Sequence, residues 1–533
     1  MEYLKGVSTH TFLWAFNYNG SDSWLSKQVW CSDHAFMEAS GNDYMDAYMM
    51  AQYFNAQARD IFTGPIKDTP GKTQSPCERY FYNQEVIREL KYWIKTSDGK
   101  IFELPIHAVR LYLFKPFRVG VLSIEVYNTE YSSLDDIQLI NDLGRRIRLP
   151  FLPRTQGGFI LCADQIGIIH GEDHRWVTDF RELAENTLAS VGSGTSLYRE
   201  KSLEPADFIY GFLSGQIGKS EMQGGLPEKL VPASDDRMFL VSMIRNEEIS
   251  SSIKNWRNLV SEDSRRLYSV VFADPNSYPT CQDEKMRTEL LEKAVYPRWS
   301  HEGTLYAVTN LSVMCLTDDN ESIVDSVYRP FLTEYTAMAL LVLVQRVSIE
   351  CFARESSGIV QGAQERGLLK QEQIEDMINL HERYVTWQNE INLFEVTDQE
   401  QGIEMYERMR EQMGVNARIG YLAEQLEDMY AIANVNQNTR TNQSVVWWAF
   451  VAIVFNILLS LASFLLELTE SGKGFEVVGD WHQQWWSSIG GIIQPLSIGP
   501  IIVSLILGFF VFPLAFKKSK RRMFGFFEML FCK

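Results

Sequence analysis

The chain has 533 residues, 45% hydrophobic and 22% charged, and its 50 Lys and Arg against 68 Asp and Glu give a formal net charge of −18. That length predicts two or three structural units, and the acidic balance excludes a general nucleic-acid binder, whose phosphate contacts require a basic surface. Seven cysteines (Cys31, Cys77, Cys162, Cys281, Cys315, Cys351 and Cys532) form no CxxC pair and no regular spacing, which predicts reduced thiols rather than structural zinc or a disulfide framework.

The N-terminus, MEYLKGVSTHTFLWAFNYNG, lacks a charged leader followed by a long apolar core, so no secretory signal is predicted and this region is expected to stay in the cytoplasm. Residues 85 to 130 read as a meander of strands: KYWIKT, a turn at Ser97-Asp98-Gly99, then KIFELPI, HAVRLYLF and VGVLSIEVYN. SSLDDIQLINDLGRRI has a helical pattern, with Ser132 or Ser133 placed to cap it. Further strands are predicted at RMFLVSMI, LYSVVFAD and GTLYAVTNLSVMCL, and a Gly/Pro-rich excursion runs from Gly211 to Pro232. The fold class expected for residues 1–328 is therefore α/β with a mixed sheet.

After Pro330 the pattern becomes helical. FLTEYTAMALLVLVQRVSIECFARES carries Glu334, Arg346 and Glu350 around its apolar run, which predicts a buried helix rather than a membrane span, and LLKQEQIEDMINLHERYVTWQNEINLF follows as a second helix. After a break near Glu395 to Gly402, a proline-free pattern from Ile403 to Leu466 predicts one continuous helix, so that residues 329–444 form a helical stalk. Val445 to Leu466 is 22 residues without a charge, against the ~20 that cross a bilayer, and Ile498 to Phe516 is a second such run. Trp447, Trp448, Trp481, Trp485 and Trp486 stand where aromatic belts form. The tail 517–533 begins Lys517, Lys518, Ser519, Lys520, Arg521, Arg522, whereas the loop between the spans carries Glu467, Glu470, Glu476 and Asp480 against Lys473. The positive-inside rule places both termini in the cytoplasm, around a two-helix membrane domain over 445–516.

Within the first span Asn456, Ser460, Ser463 and Glu467 recur at helical spacing, and the same face traced backwards meets Asn442, Asn438 and Asn434. Polar side chains at membrane depth face water or other helices. Two readings stay open: helix packing, or the lining of a pore, which two spans per chain could form only as a homo-oligomer.

This architecture, an α/β domain followed by a stalk helix, two spans and a basic tail, resembles the CorA family of divalent-cation channels. The resembling segments are YTAMALLVLVQRVSIECF, NEINLFEVTDQEQGIEMYERM and NVNQNTRTNQ. Where that family carries Gly-Met-Asn this chain reads LELTESGKG, so its magnesium selectivity does not carry over. VLSIEVYNTEYSSLDDIQLINDLGRRIRLPFL and EKAVYPRWSHEGTLYAVTNLSV resemble more closely the divergent CorA-like membrane proteins associated with type III CRISPR systems. That resemblance implies a pentameric antiviral effector in the inner membrane of a prokaryote, not an enzyme. It is activated by an S-adenosylmethionine–AMP conjugate, with Mg2+ or another divalent cation as the other ligand and no tightly bound cofactor or direct nucleic-acid partner. The alternative is a constitutive magnesium or divalent-cation channel; a third reading is a membrane-tethered enzyme or scaffold.

Arginine forks suit phosphate, which makes Arg145 and Arg146 the first candidates for the ligand site, followed by Asp207, Asp236, Arg237, Arg298 and Trp299 for adenine, ribose or sulfonium. Gly215-Gln-Ile-Gly218-Lys219-Ser220 lacks the first glycine of a phosphate loop, Leu213 standing in its place, and predicts no ATPase. His170-Gly-Glu-Asp-His174 reads as a turn rather than a metal site.

Overall fold

A computed structural model describes residues 6–470, apart from 19–23, 26–28, 33–42, 64–74, 153–157, 159, 172–173, 193–203, 218–229, 234, 276–277 and 365–370. The expected second span, the basic tail and Gly218 to Ser220 lie outside the described residues. The chain divides into two compact units, Met1–Ala431 and Ile432–Lys533.

The first unit is built on a mixed sheet of thirteen strands among the described residues. In chain order these are β1 (Ser8–Tyr18), β2 (Trp30–Ser32), β3 (Glu78–Tyr82), β4 (Leu90–Lys95), β5 (Ile101–Phe114), β6 (Val119–Asn128) and β7 (Gln165–His170). They continue with β8 (His174–Asp179), β9 (Leu230–Pro232), β10 (Phe239–Arg245), β11 (Val295–Tyr296), β12 (Leu305–Val308) and β13 (Ser312–Thr317). The order is β11-β12-β13-β10-β1-β6-β5-β4-β7-β8, with β2 on β3, β3 on β5 and β9 on β1. All pairs are antiparallel except β10 with β13, and that parallel pair makes the sheet mixed, as the sequence predicts.

The central strand, β1, was not predicted, and it organises the sheet. Its side chains alternate between faces, as a pleated strand requires. Phe12 stacks on Tyr92 at 5.3 Å and His10 bonds Asn141 on one face, while Thr11 and Leu13 line a cavity on the other. KIFELPI and HAVRLYLF form the single strand β5, whose register against β6 shifts between Ile106 and Ala108. Such a bulge bends the strand and redirects its edge. The first half of β5 pairs with β4 and the second with β3.

Helix α1 (Leu134–Gly144) is capped by Ser133, which accepts from the Asp136 amide, and Asp135 and Asp136 favour its positive end. LYSVVFAD, expected as a strand, lies in helix α2 (Ser261–Phe272), ended by Ala273 at φ 47°. Two β-branched valines suggested a strand, but Leu267, Val270 and Val271 recur at helical spacing and bury one face, and packing overrides local propensity. The buried helix predicted after Pro330 is present as α3 (Thr336–Gln364), preceded by π-helical turns at Val324–Tyr328 and Phe331–Tyr335. Helices α4 (Gln371–Glu390) and α5 (Glu400–Gln412) complete this unit together with the start of α6 (Val415–Glu470). These helices belong to the same compact unit as the sheet, so the boundary expected near residue 328 falls inside it.

The single helix expected from Ile403 to Leu466 is broken. Gly414 takes φ 71° between α5 and α6, a left-handed turn that glycine adopts without the strain of a Cβ. Gly414→Ala should lower the stability of this unit by about 1 kcal/mol, read as a lower midpoint in thermal unfolding; an unchanged midpoint would mean that the turn re-forms with another backbone.

Two described helical segments are long and apolar enough to cross a membrane. Glu321–Gln361 has 78% of its apolar window buried in the protein, whereas Asn442–Ser463, within α6, has 6%. Around that second segment Val446, Phe450, Ile453, Ile457 and Leu461 are all more than half exposed. A helix so largely apolar and left uncovered has the character of a bilayer-spanning element.

Candidate functional site

The chain after α1 runs beside the segment that leads into β10. Arg146 and Arg237 form an isolated bridge, the Ile147 amide donates to the Asp236 carbonyl at 2.9 Å, and the Met238 amide donates to Arg145 at 2.7 Å. This pairing brings together Arg145, Arg146, Asp236 and Arg237, four of the seven residues proposed from sequence. Arg146 donates from Nε to Asp142 Oδ1 at 3.0 Å and from Nη1 to Asp236 Oδ2 at 3.1 Å, while Arg237 Nη2 donates to Asp235 Oδ2 at 2.8 Å. Arg146 and Arg237 are thus matched by Asp142, Asp235 and Asp236.

Arg145 differs from its neighbours. It is 3% exposed and donates from Nη2 to the carbonyls of Ala273, at 2.9 Å, and Phe272, at 3.3 Å. Its Nε and Nη1 have no partner among the described residues. Burial pushes its pKa down to about 10; Asp142 and Asp235 oppose that shift, and Arg146 and Arg237 add to it. A buried guanidinium with two unused donors can accept an anionic oxygen without first breaking an ion pair.

The remaining candidates lie elsewhere. The Asp207 amide donates to Thr178 Oγ1 at 2.8 Å, and the neighbouring Ala206 amide donates to the Ile147 carbonyl at 2.7 Å, next to the arginine cluster in sequence. Arg298 pairs with Glu404 at 2.8 Å and Glu400 at 3.2 Å, and the Trp299 indole donates to Gln401 at 3.4 Å; all three partners are on α5. These contacts fasten one loop to one helix and do not join the arginine cluster.

A second polar centre was not predicted. Facing strands β1, β3, β5 and β6 floor a cavity of about 230 Å³, roofed by Leu332, Thr333, Thr336 and Leu340. Arg110 Nη1 contacts Glu125 Oε2 at 2.6 Å, Tyr127 donates to Glu125 Oε1 at 2.9 Å, and the Arg110 guanidinium lies 5.6 Å from the Phe81 ring centre. Burial alone would raise the Glu125 carboxyl, but Arg110 first and then His107 outweigh it and hold it below its ordinary value. The available signal was a lone charge within each apolar strand pattern, Arg110 in HAVRLYLF and Glu125 in VGVLSIEVYN.

In the second unit, α6 carries the predicted polar stripe. Asn438, Asn442, Asn456, Ser460 and Ser463 are exposed and Asn434 is half-buried, and Asn456 and Ser460 line one surface depression with Ile453, Ile457 and Leu461. The Glu467 side chain lies outside the described residues. In the first unit, His170 and His174 pair across the β7–β8 hairpin, and His170 meets Glu89 at 2.5 Å. Among the described residues no group of three or more His, Cys, Asp or Glu could hold a metal ion. No family model matches this chain, and neither a curated protein nor a solved structure shows significant similarity to it.

Proposed function

We propose that the chain is a CorA-like membrane effector of type III CRISPR defence, in which the α/β unit binds a nucleotide second messenger, an S-adenosylmethionine–AMP conjugate, and the membrane part then conducts ions or disrupts the bilayer. The observation that carries this reading is the uncovered apolar stretch Asn442–Ser463, which lies in the same helix as the start of α6 in the α/β unit. Arg145, with two unused donors, would take the messenger's phosphate, with Arg146 and Arg237 beside it and Asp236 holding Arg146 in place. Several copies, five by resemblance, would surround an axis with Asn442, Asn456, Ser460 and Ser463 toward it, and amide and hydroxyl dipoles at that depth would favour cations. Both termini would lie in the cytoplasm and the spans in the inner membrane.

The test uses the full chain in dye-loaded liposomes. Adding the conjugate should release dye or cations, and Asn456→Leu should reduce the flux at least tenfold, because an apolar ring at a narrow point resists wetting. Flux of Mg2+ that is independent of the conjugate would sink this reading in favour of a constitutive channel, and absence of flux in either state would sink both.

A further inference from the structure

The cavity on the face of the sheet opposite α1 holds charges of both signs among apolar walls. Its floor is set by register: Phe81 lies across from Arg110, Arg110 from Ser123, and Glu125 from Thr11. Four formally charged side chains line it, Arg79 and Arg110 against Asp46 and Glu125, so the charges cancel within its walls. The volume, about 230 Å³, is below the roughly 300–1,000 Å³ typical of drug-sized ligands, which limits the guest to a small metabolite.

The walls combine opposite charges with Phe62, Phe81, Leu332 and Leu340. Replacing a buried ion pair by apolar side chains of similar volume is often neutral or stabilising. The Arg110–Glu125 pair, set among apolar walls at the edge of this cavity, is therefore poorly explained by stability alone. We propose that this cavity binds a small zwitterion of the α-amino-acid class, its carboxylate toward Arg79 and Arg110, its ammonium toward Glu125 and Asp46, and an uncharged side chain among the aromatic and aliphatic walls. The roof includes the π-helical turn Phe331–Tyr335, a conformation that occurs mostly as single turns and often at functional sites. A guest against Leu332 and Thr333 would brace that turn. The inference goes beyond the effector reading and does not depend on it.

The full chain in detergent micelles is titrated calorimetrically with each of the twenty standard L-amino acids in turn, and with 3-methylbutylamine and 4-methylpentanoate, which are leucine without its carboxylate and without its amine. At least one uncharged amino acid should bind. Leucine, where it binds, should do so at least tenfold more tightly than either fragment. Ala337→Phe, which fills the cavity and removes no charge, should abolish binding, and Arg79→Gln should weaken it at least tenfold. Arg79→Gln also serves as the deciding variant if Ala337→Phe fails to fold. Heat from none of the twenty, binding that survives both substitutions, or 4-methylpentanoate binding as tightly as leucine would overturn the proposal. Amino-acid binding without messenger-driven flux would retain this site and reject the effector reading, and flux without such binding would do the reverse.

Discussion

Lowering the pH from about 7 to about 4 should destabilise the α/β unit by roughly 3 kcal/mol through His10 alone. His10 is fully buried on β1, its Nδ1 2.7 Å from Asn141 Oδ1 and its Nε2 2.9 Å from Ser8 Oγ. Asn141 Oδ1 can only accept, so Nδ1 carries the proton and Nε2 accepts from the Ser8 hydroxyl. Ser8 Oγ in turn accepts from Asn128 Nδ2 at 3.0 Å. The neutral ring is therefore satisfied on both sides, and a second proton would place a charge in a dry site facing a hydroxyl already committed as a donor. Burial pushes the pKa from 6.5 down to about 4, the bond to Asn141 opposing it only in part. Below pH 6.5 the unfolded chain takes up the proton while the folded chain does not, so stability falls until the pH reaches about 4 and this contribution is then flat. Urea unfolding of the full chain in detergent at several pH values measures the slope. His10→Gln, which cannot titrate, should lose that part of it; an unchanged slope in the variant would assign the acid sensitivity to carboxylates instead.

The parts of the fold that were legible in the sequence are those whose signals are local. VGVLSIEVYN coincides with β6, and Ser133 caps α1, because alternation and capping need only neighbouring residues. β1 was missed although it is the central strand. STHTFLWAFNY is buried on both faces, so it shows no alternation of apolar and polar residues, and its role depends on β6 and β10, more than a hundred residues away. The left-handed Gly414 was equally silent, since a lone glycine inside a helical pattern is usually tolerated.

The candidate sites divide along the same line. Arg145 and Arg146 are adjacent and stand out in an acidic chain, but the Asp236 that Arg146 meets and the Phe272 and Ala273 carbonyls that Arg145 meets lie in segments distant in sequence. Arg298 and Trp299 are also adjacent and were equally visible, yet their partners are on α5. The cavity draws Thr11, Arg79, Arg110 and Glu125 from four strands and its roof from residues 332 to 340. No spacing rule joins those positions, and only the strand order brings them together.

That ordering leads to the largest single-residue effect expected. Arg110→Met should cost about 3 kcal/mol or more, because it leaves the Glu125 carboxylate buried without its cation, and Glu125→Leu should cost less. The two side chains are 28% and 11% exposed, so water reaches the arginine that Glu125→Leu retains more easily. The double substitution should recover most of the loss, since apolar side chains of similar volume remove both desolvation costs together. A double-mutant cycle by chemical denaturation of the full chain in detergent gives the coupling directly. Additive losses would show that solvent screens each charge separately. If the cavity binds a zwitterion, the stable double variant should have lost that binding, which separates the stability of the ion pair from its chemistry. Recovered stability with undiminished amino-acid binding would place the guest elsewhere.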